Sequence, residues 1–255
     1  MEINKIYQGN SMELMKEIPS GSIDLIVTDP PYNKVNDTKF QSLSNVLFKG
    51  FIQDFVKEVT RVLKQNGSIY VMMGWKEISY FYIAFEQAGL IPQNWIVWKY
   101  TNGIGSRKSF SQRHEDILFF TKSDNFIFNT INVRVKAKKN IAFKLKSGRM
   151  WNPPEVGKKN CEDTWLDIDM VNSQAKIRCG HPTQKPIELF ERMILASSNK
   201  GDLILDPFIG SGTSAIACIK LNRNFIGIEI NKDYIDMANK RLQQETQNDD
   251  GGTNF

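Results

Sequence analysis

Residues 22–28 (SIDLIVT) are a β-branched apolar run that ends at Asp29-Pro30-Pro31. A run this short and this apolar reads as a strand buried on both faces, and the prolines end it because neither can donate to a sheet ladder. Residues 68–73 (SIYVMM) have the same character, and between the two runs Phe51, Ile52, Phe55, Val56, Val59, Val62 and Leu63 recur at helical spacing before Gly67. The pattern predicts strand, helix, strand. Buried strands separated by amphipathic helices imply a largely parallel sheet with helices on both faces, an α/β fold.

The rest of the chain continues the alternation. A helix is expected over 78–88, closed by Gly89, then a strand over 95–98 that 117–121 could pair with. Pro186 suits the first turn of a helix that turns Ile187, Phe190, Ile194 and Leu195 to one side. Strands at 203–205 and 225–230 flank a helix over 213–221, and Asn231 is positioned to cap a last helix carrying Tyr234, Ile235, Ala238 and Leu242 inward. Residues 33–50 are polar and read as a mobile cover, and 247–255 as a disordered tail. From 122 to 178 the periodicity fades and Asn152-Pro153-Pro154 breaks any continuous element, which suggests an insertion, where Trp151 and Trp165 could form a small core.

Charge is concentrated there. Between Arg134 and Lys159 lie Lys136, Lys138, Lys139, Lys144, Lys146, Arg149 and Lys158, with Glu155 the sole acid; Arg107, Lys108 and Arg113 form a second basic group. A net charge of +5 is by itself a weak pointer to a polyanion, but this local excess, interleaved with Phe143, Met150 and Trp151, favours phosphate contact over a merely solvated face. No apolar run approaches the ~18 residues that span a bilayer, and residues 1–9 lack the pattern of a secretory signal, so a cytoplasmic location is expected. Cys161, Cys179 and Cys218 are too scattered for a disulfide framework or a CxxC site; with His114 and His181 distant from each other, no metal is expected.

Two local chemistries stand out. In Asp206-Pro207-Phe208-Ile209-Gly210-Ser211-Gly212-Thr213, glycines sit between a predicted strand and a predicted helix, where backbone can approach a ligand and helix amides are free. Glu229 ends the next strand nineteen positions after Gly210, near the ~20 expected of a carboxylate that receives ribose hydroxyls. Gly210 to Ala215 also satisfies G-x-G-x-x-A, so a nicotinamide or flavin enzyme stays open, against which stands the lack of a second dinucleotide half after this turn. In Asp29-Pro30-Pro31-Tyr32, the prolines rigidify a turn that leaves carbonyls free to accept. An exocyclic amino group on a planar ring is a poor nucleophile with two hydrogens to donate. Asp29 and the Pro30 carbonyl could accept one each, drawing the nitrogen toward tetrahedral geometry, while Tyr32 stacks on the ring. The plainer alternative is a strand-ending turn.

These two motifs, in this order, resemble the amino-methyltransferases of DNA, in the circularly permuted β group that carries its catalytic motif ahead of its cofactor motif. Gly9-Asn10-Ser11, His114-Glu115 and His181-Pro182-Thr183-Gln184-Lys185-Pro186 resemble further segments of that family, so the likeness spans nearly the whole chain. It implies a Rossmann-like fold with a mostly parallel seven-stranded sheet and an antiparallel hairpin, S-adenosylmethionine as cofactor, and DNA as substrate. It also implies a division into 1–122 (catalytic part), 123–178 (target recognition), 179–246 (cofactor part) and a tail. By the same resemblance, Asp29, Pro30, Pro31 and Tyr32 are catalytic, and Phe208, Gly210, Gly212 and Thr213 line the methionine and adenosine. Glu229 holds the ribose, Thr183 and Lys185 face the cofactor carboxylate, and Asn10, Ser11, Asp29, Asp206, Ser211 and Asn231 complete the cofactor set. Many relatives carry Asp where this chain has Asn10. Arg107, Lys108, Arg113, Lys136, Lys138 and Lys139 are expected on DNA. DPPY is typical of N6-adenine methylation, whereas N4-cytosine relatives more often carry Ser in place of Asp; cytosine or an RNA amino group stays the alternative target. Family members act in restriction-modification or regulatory methylation, which makes a cognate endonuclease an expected partner; a homodimer is an open expectation.

Overall fold

The computed structural model describes residues 1–31, 45–101, 108–136, 143–144, 147, 150–151, 158–171, 179 and 183–250. The strands are β1 (Lys5–Gln8), β2 (Ile23–Thr28), β3 (Leu63–Met73), β4 (Ile91–Lys99), β5 (His114–Thr121), β6 (Val135–Lys136), β7 (Phe143–Lys144), β8 (Met150–Trp151), β9 (Lys158–Lys159), β10 (Thr164–Trp165), β11 (Leu203–Asp206) and β12 (Asn224–Glu229). The helices are α1 (Ser11–Leu14), α2 (Asn45–Val62), α3 (Ile78–Gln87), α4 (Ile187–Ser197), α5 (Thr213–Lys220) and α6 (Lys232–Asp250).

Eight strands form one sheet in the order β1-β12-β11-β2-β3-β5-β4-β10. Within it β5 alone runs against its neighbours, pairing antiparallel with both β3 and β4. Seven of these strands have four residues or more, as expected; the eighth, β10, adds two residues at the edge beside Val97 and Trp98. The remaining short strands pair as β6 with β9 and β7 with β8.

Period-two alternation divides the sheet residues between two cores. Ile26, Ile69, Val71, Met73, Leu118 and Phe120 face α2 and α3, packing on Phe55, Val59, Phe81 and Phe85. Leu25, Val27, Tyr70, Met72, Ile117 and Phe119 face α4 and α5, packing on Leu189, Met193, Ala215 and Cys218. Tyr70 and Phe119, opposite each other in the β3–β5 ladder, stack at 4.4 Å, and the Tyr70 hydroxyl meets the Ser197 hydroxyl at 2.8 Å.

Four expectations change. Residues 45–50 are the first turns of α2: Phe48 continues the apolar face through Phe51 and Phe55, and Gly50 costs a helix only ~1 kcal/mol. Pro186 is the cap preceding α4, with extended backbone. The last helix runs through 247–250, so the start of the supposed tail is helical. Trp165 is buried in the α4-side core under the Arg192 guanidinium, and Asn129 donates to the Leu195 and Ser198 carbonyls at the end of α4; both stretches of the expected insertion pack on the main body. The Trp151 side chain and residues 251–255 lie outside the described residues. Among those described, no helix is long and apolar enough to cross a membrane.

Candidate active site

β2 and β11 are parallel neighbours, Leu25 opposite Ile204 and Ile26 opposite Leu205. From β11 the chain crosses through α5 to β12 on one side; from β2 it crosses through α2 to β3 on the other. Strand order therefore reverses at this pair, and the crevice outside the carboxyl ends is where open α/β sheets take ligands. A cavity of about 560 Å³ occupies it, lined by Asn10, Ser11, Asp29, Pro30, Pro31, Thr183, Lys185, Asp206, Phe208, Gly210, Ser211, Thr213 and Glu229 among others. Both motifs thus open on one space.

Glu229 is locked by backbone donors: its Oε2 accepts from Gly210 N at 3.0 Å and its Oε1 from Asn231 N at 2.8 Å. An ionised carboxylate has about four acceptor positions, so two bonds hold it in place and leave others for a ligand. Asn231 itself does not line the cavity; its Oδ1 accepts from Asp233 N at 2.9 Å and caps α6, as its position before that helix predicts.

Asp206 lies beneath the loop as a tie. Its Oδ1 accepts from Thr28 Oγ1 at 3.0 Å and from Phe208 N at 3.1 Å, and its Oδ2 from Ser214 Oγ at 2.6 Å, joining β2, the turn and α5. Burial pushes this carboxyl up to about 7 despite the three donors. Gly210 and Gly212 both have positive φ, at 49° and 79°. Gly212 does not line the cavity; it allows α5 to approach α6, where a Cβ would stand 2.8 Å from the Ala238 Cβ. Phe208 packs on Phe51 and Phe55 at 5.9 and 5.8 Å between ring centroids. Ser11 donates to the Pro207 carbonyl, and the Asn10 side chain accepts from Met12 N at 2.9 Å to cap α1.

Lys185, only 6% exposed, sits with its ammonium 2.6 Å from Asp29 Oδ2 and 3.2 Å from Glu115 Oε2. The resemblance assigned it to the cofactor; the geometry also pairs it with the Asp29 carboxylate. Sequence reasoning missed this pairing, and it missed Arg241, whose Nη1 reaches Ser211 Oγ at 3.1 Å and Thr213 Oγ1 at 3.3 Å from α6. It also missed Leu47 and Asp54, which line the cavity with Phe51; their spacing on one helix face was the available signal.

Of the basic residues expected on DNA, the three described ones, Lys108, Arg113 and Lys136, do not line the cavity. Lys108 and Lys136 are exposed, and Arg113 donates to the Thr101 carbonyl, which ties together the ends of the β4–β5 connection. Tyr32, Arg107, Lys138, Lys139 and His181 lie outside the described residues. His114 points its Nε2 toward Asp116 Oδ2 at 3.9 Å.

Residues 23–240 match the family model described as DNA methylase, which covers N6 and N4 methyltransferases. The chain belongs to the DNA methylase family. Among curated relatives, this methylase is 45% identical over 245 residues to the type II methyltransferase M.HpaI of Haemophilus parainfluenzae, covering 94% of this chain and 74% of the relative. It is 37% identical to the DNA adenine methyltransferase YhdJ of Escherichia coli K12, covering 94% and 83%. Among solved structures, the M1.HpyAVI–SAM complex superposes with a TM-score of 0.65 at 27% identity, covering 93% of this chain and 98% of that one. The cytosine-N4-specific PvuII methyltransferase shares the fold, with a TM-score of 0.72 at 18% identity, covering 95% and 90%. Family membership sets aside the nicotinamide reading of residues 210–215.

Proposed function

We infer that this methylase transfers a methyl group from S-adenosylmethionine to the exocyclic amino group of adenine in DNA. The observation that carries this reading is the single cavity onto which Asp29-Pro30-Pro31 and the Glu229-anchored loop both open. The cavity suits the cofactor. Its volume is within the ~300–1,000 Å³ of small-molecule sites, its walls include Phe208, Ile230 and Tyr234, and Glu229 has acceptor positions left for ribose hydroxyls. Gly210, Ser211 and Thr213 would line the methionine portion, Asn10 and Ser11 the base, and Thr183 the amino-acid end. S-adenosylmethionine, when bound, supplies an electrophilic methyl group.

The residues of the chain do the remainder. The target base must leave the duplex to reach a cavity at the strand ends, and Tyr32 would offer its ring as a platform that offsets part of the unstacking energy. Asp29 and the Pro30 carbonyl accept the two amino hydrogens, which favours a tetrahedral nitrogen over the planar ground state. Lys185 fixes the direction of the Asp29 carboxylate. The exposed Lys108, Lys136 and Lys158, together with the basic residues around them in sequence, supply phosphate contacts. Adenine is favoured over cytosine by the aspartate at position 29 and by 37% identity to a DNA adenine methyltransferase. Relatives named as type II methyltransferases support a role in restriction-modification beside a cognate endonuclease.

The test is incubation with methyl-labelled cofactor and unmodified DNA of mixed sequence, followed by digestion to nucleosides. Label is expected in N6-methyldeoxyadenosine. Label solely in N4-methyldeoxycytidine would refute the choice of base, and unlabelled DNA would refute the reaction.

A further inference from the structure

In a parallel sheet only the carboxyl ends of strands reach the ligand crevice. β5 is the exception: it runs antiparallel beside β3, so its first residues arrive at that edge. Along β5, Ile117 and Phe119 face the α4 side, and alternation turns Glu115 to the same side. Asp29 stands two residues beyond Val27 and Tyr100 two beyond Trp98 on that same face, while Lys185 enters it just before α4. Lys185 therefore meets two carboxylates, Asp29 at 2.6 Å and Glu115 at 3.2 Å.

We propose that Glu115 is a positioning residue for methyl transfer: by sharing the Lys185 ammonium, it keeps Asp29 able to take a proton from the target amino nitrogen. The proposal rests on the reading of Asp29 as acceptor. In the step concerned the N–H bond breaks, its electron pair stays on nitrogen, and the proton forms an O–H bond on Asp29. With both carboxylates ionised the trio carries one net negative charge, which this proton neutralises. Were Glu115 neutral, the Asp29–Lys185 pair would start at zero and end with the Lys185 charge balanced by neither carboxylate, which is unfavourable.

Among the described residues, the other titratable groups near Asp29 do not replace Glu115. The Tyr100 phenol is raised by burial and by Glu115, so it stays neutral and contributes no charge. Asp206, from β11, is itself raised mainly by burial, with the Asp29 charge contributing, and it is committed to Thr28, Phe208 and Ser214. Asp116 is turned to the opposite face of β5, where it accepts from Trp95 Nε1 at 3.0 Å.

The experiment is single-turnover methyl transfer at saturating cofactor across pH, for wild type, Glu115→Gln and Glu115→Asp, with cofactor affinity measured separately. Glu115→Gln is expected to lower the plateau by about tenfold or more and to move the acid limb down, since a lone neighbouring cation depresses a carboxylate. Glu115→Asp keeps the charge and should keep the wild-type limb. An indifferent Glu115→Gln, a limb that moves upward, an effect confined to cofactor affinity, or a limb in Glu115→Asp displaced as in Glu115→Gln would each overturn the role given to Glu115. Wild type that modifies no adenine would instead bring down the functional reading, and this proposal with it.

Discussion

Gly212→Ala isolates the contact between the turn at 206–213 and α6. Gly212 has φ 79°, a left-handed conformation that costs an L residue roughly 1–2 kcal/mol. The new methyl would stand 2.8 Å from the Ala238 Cβ and 3.2 Å from its Cα, and that Cα belongs to helix α6 rather than to a flexible side chain. Overpacking of this kind costs about 1–3 kcal/mol. The sum, about 2–5 kcal/mol, corresponds in a chain of this size to a fall in Tm on the order of 10 °C. Thermal and denaturant unfolding of Gly212→Ala, Ala238→Gly and the double variant separate the two parts. Ala238→Gly alone should cost ~1 kcal/mol as a helix-interior glycine, and in the double variant much of the steric part should return as a coupling of about 1 kcal/mol or more. Strict additivity, within ~0.5 kcal/mol, would refute the claim that Gly212 exists to let α5 meet α6.

Two further outcomes follow from the site. In Glu229→Gln, whichever way the amide turns, its NH2 opposes either Gly210 N or Asn231 N, so cofactor affinity should drop about 10- to 100-fold, by calorimetry, as when a charged hydrogen-bond partner is lost; unchanged affinity would refute the ribose role. Asp206 holds its proton up to about pH 7 in the folded chain but ionises at its ordinary value of 3.8 when unfolded, so its contribution is fully present below that value and is lost as pH rises toward 7. Asp206→Asn can keep the Thr28 and Phe208 bonds on its oxygen and donate to Ser214, so it should fold and flatten the pH dependence of denaturant midpoints across that window; an undiminished slope would count against the burial argument.

Much of the site was legible because it depends on local pattern. The run ending at Asp29 and the turn from Asp206 to Thr213 each announce a strand end, and alternation with helices makes those ends share an edge. What was not legible depends on partners remote in sequence. The pairing of Lys185 with Asp29 and Glu115 requires knowing that β5 is inserted antiparallel between β3 and β4, an order that no local periodicity encodes. Gly212 looked like a ligand-facing glycine because its real neighbour, Ala238, lies one strand and one helix later. Residues 45–50 were read with the polar cover, yet Phe48 packs at 6.3 Å from Phe81 and carries the helix across Gly50. Trp165 illustrates the same limit: in a stretch without periodicity nothing announced that two residues would join the sheet edge at Trp98.

If cofactor and target meet in one cavity with Asp29 as acceptor, Asp29→Ala should separate binding from chemistry. Cofactor affinity and single-turnover methyl transfer should be measured on the same preparation. Affinity should stay close to wild type while transfer falls by about 10²–10⁴-fold, the usual worth of a positioned proton acceptor. Transfer at the wild-type rate in that variant would contradict the acceptor role of Asp29.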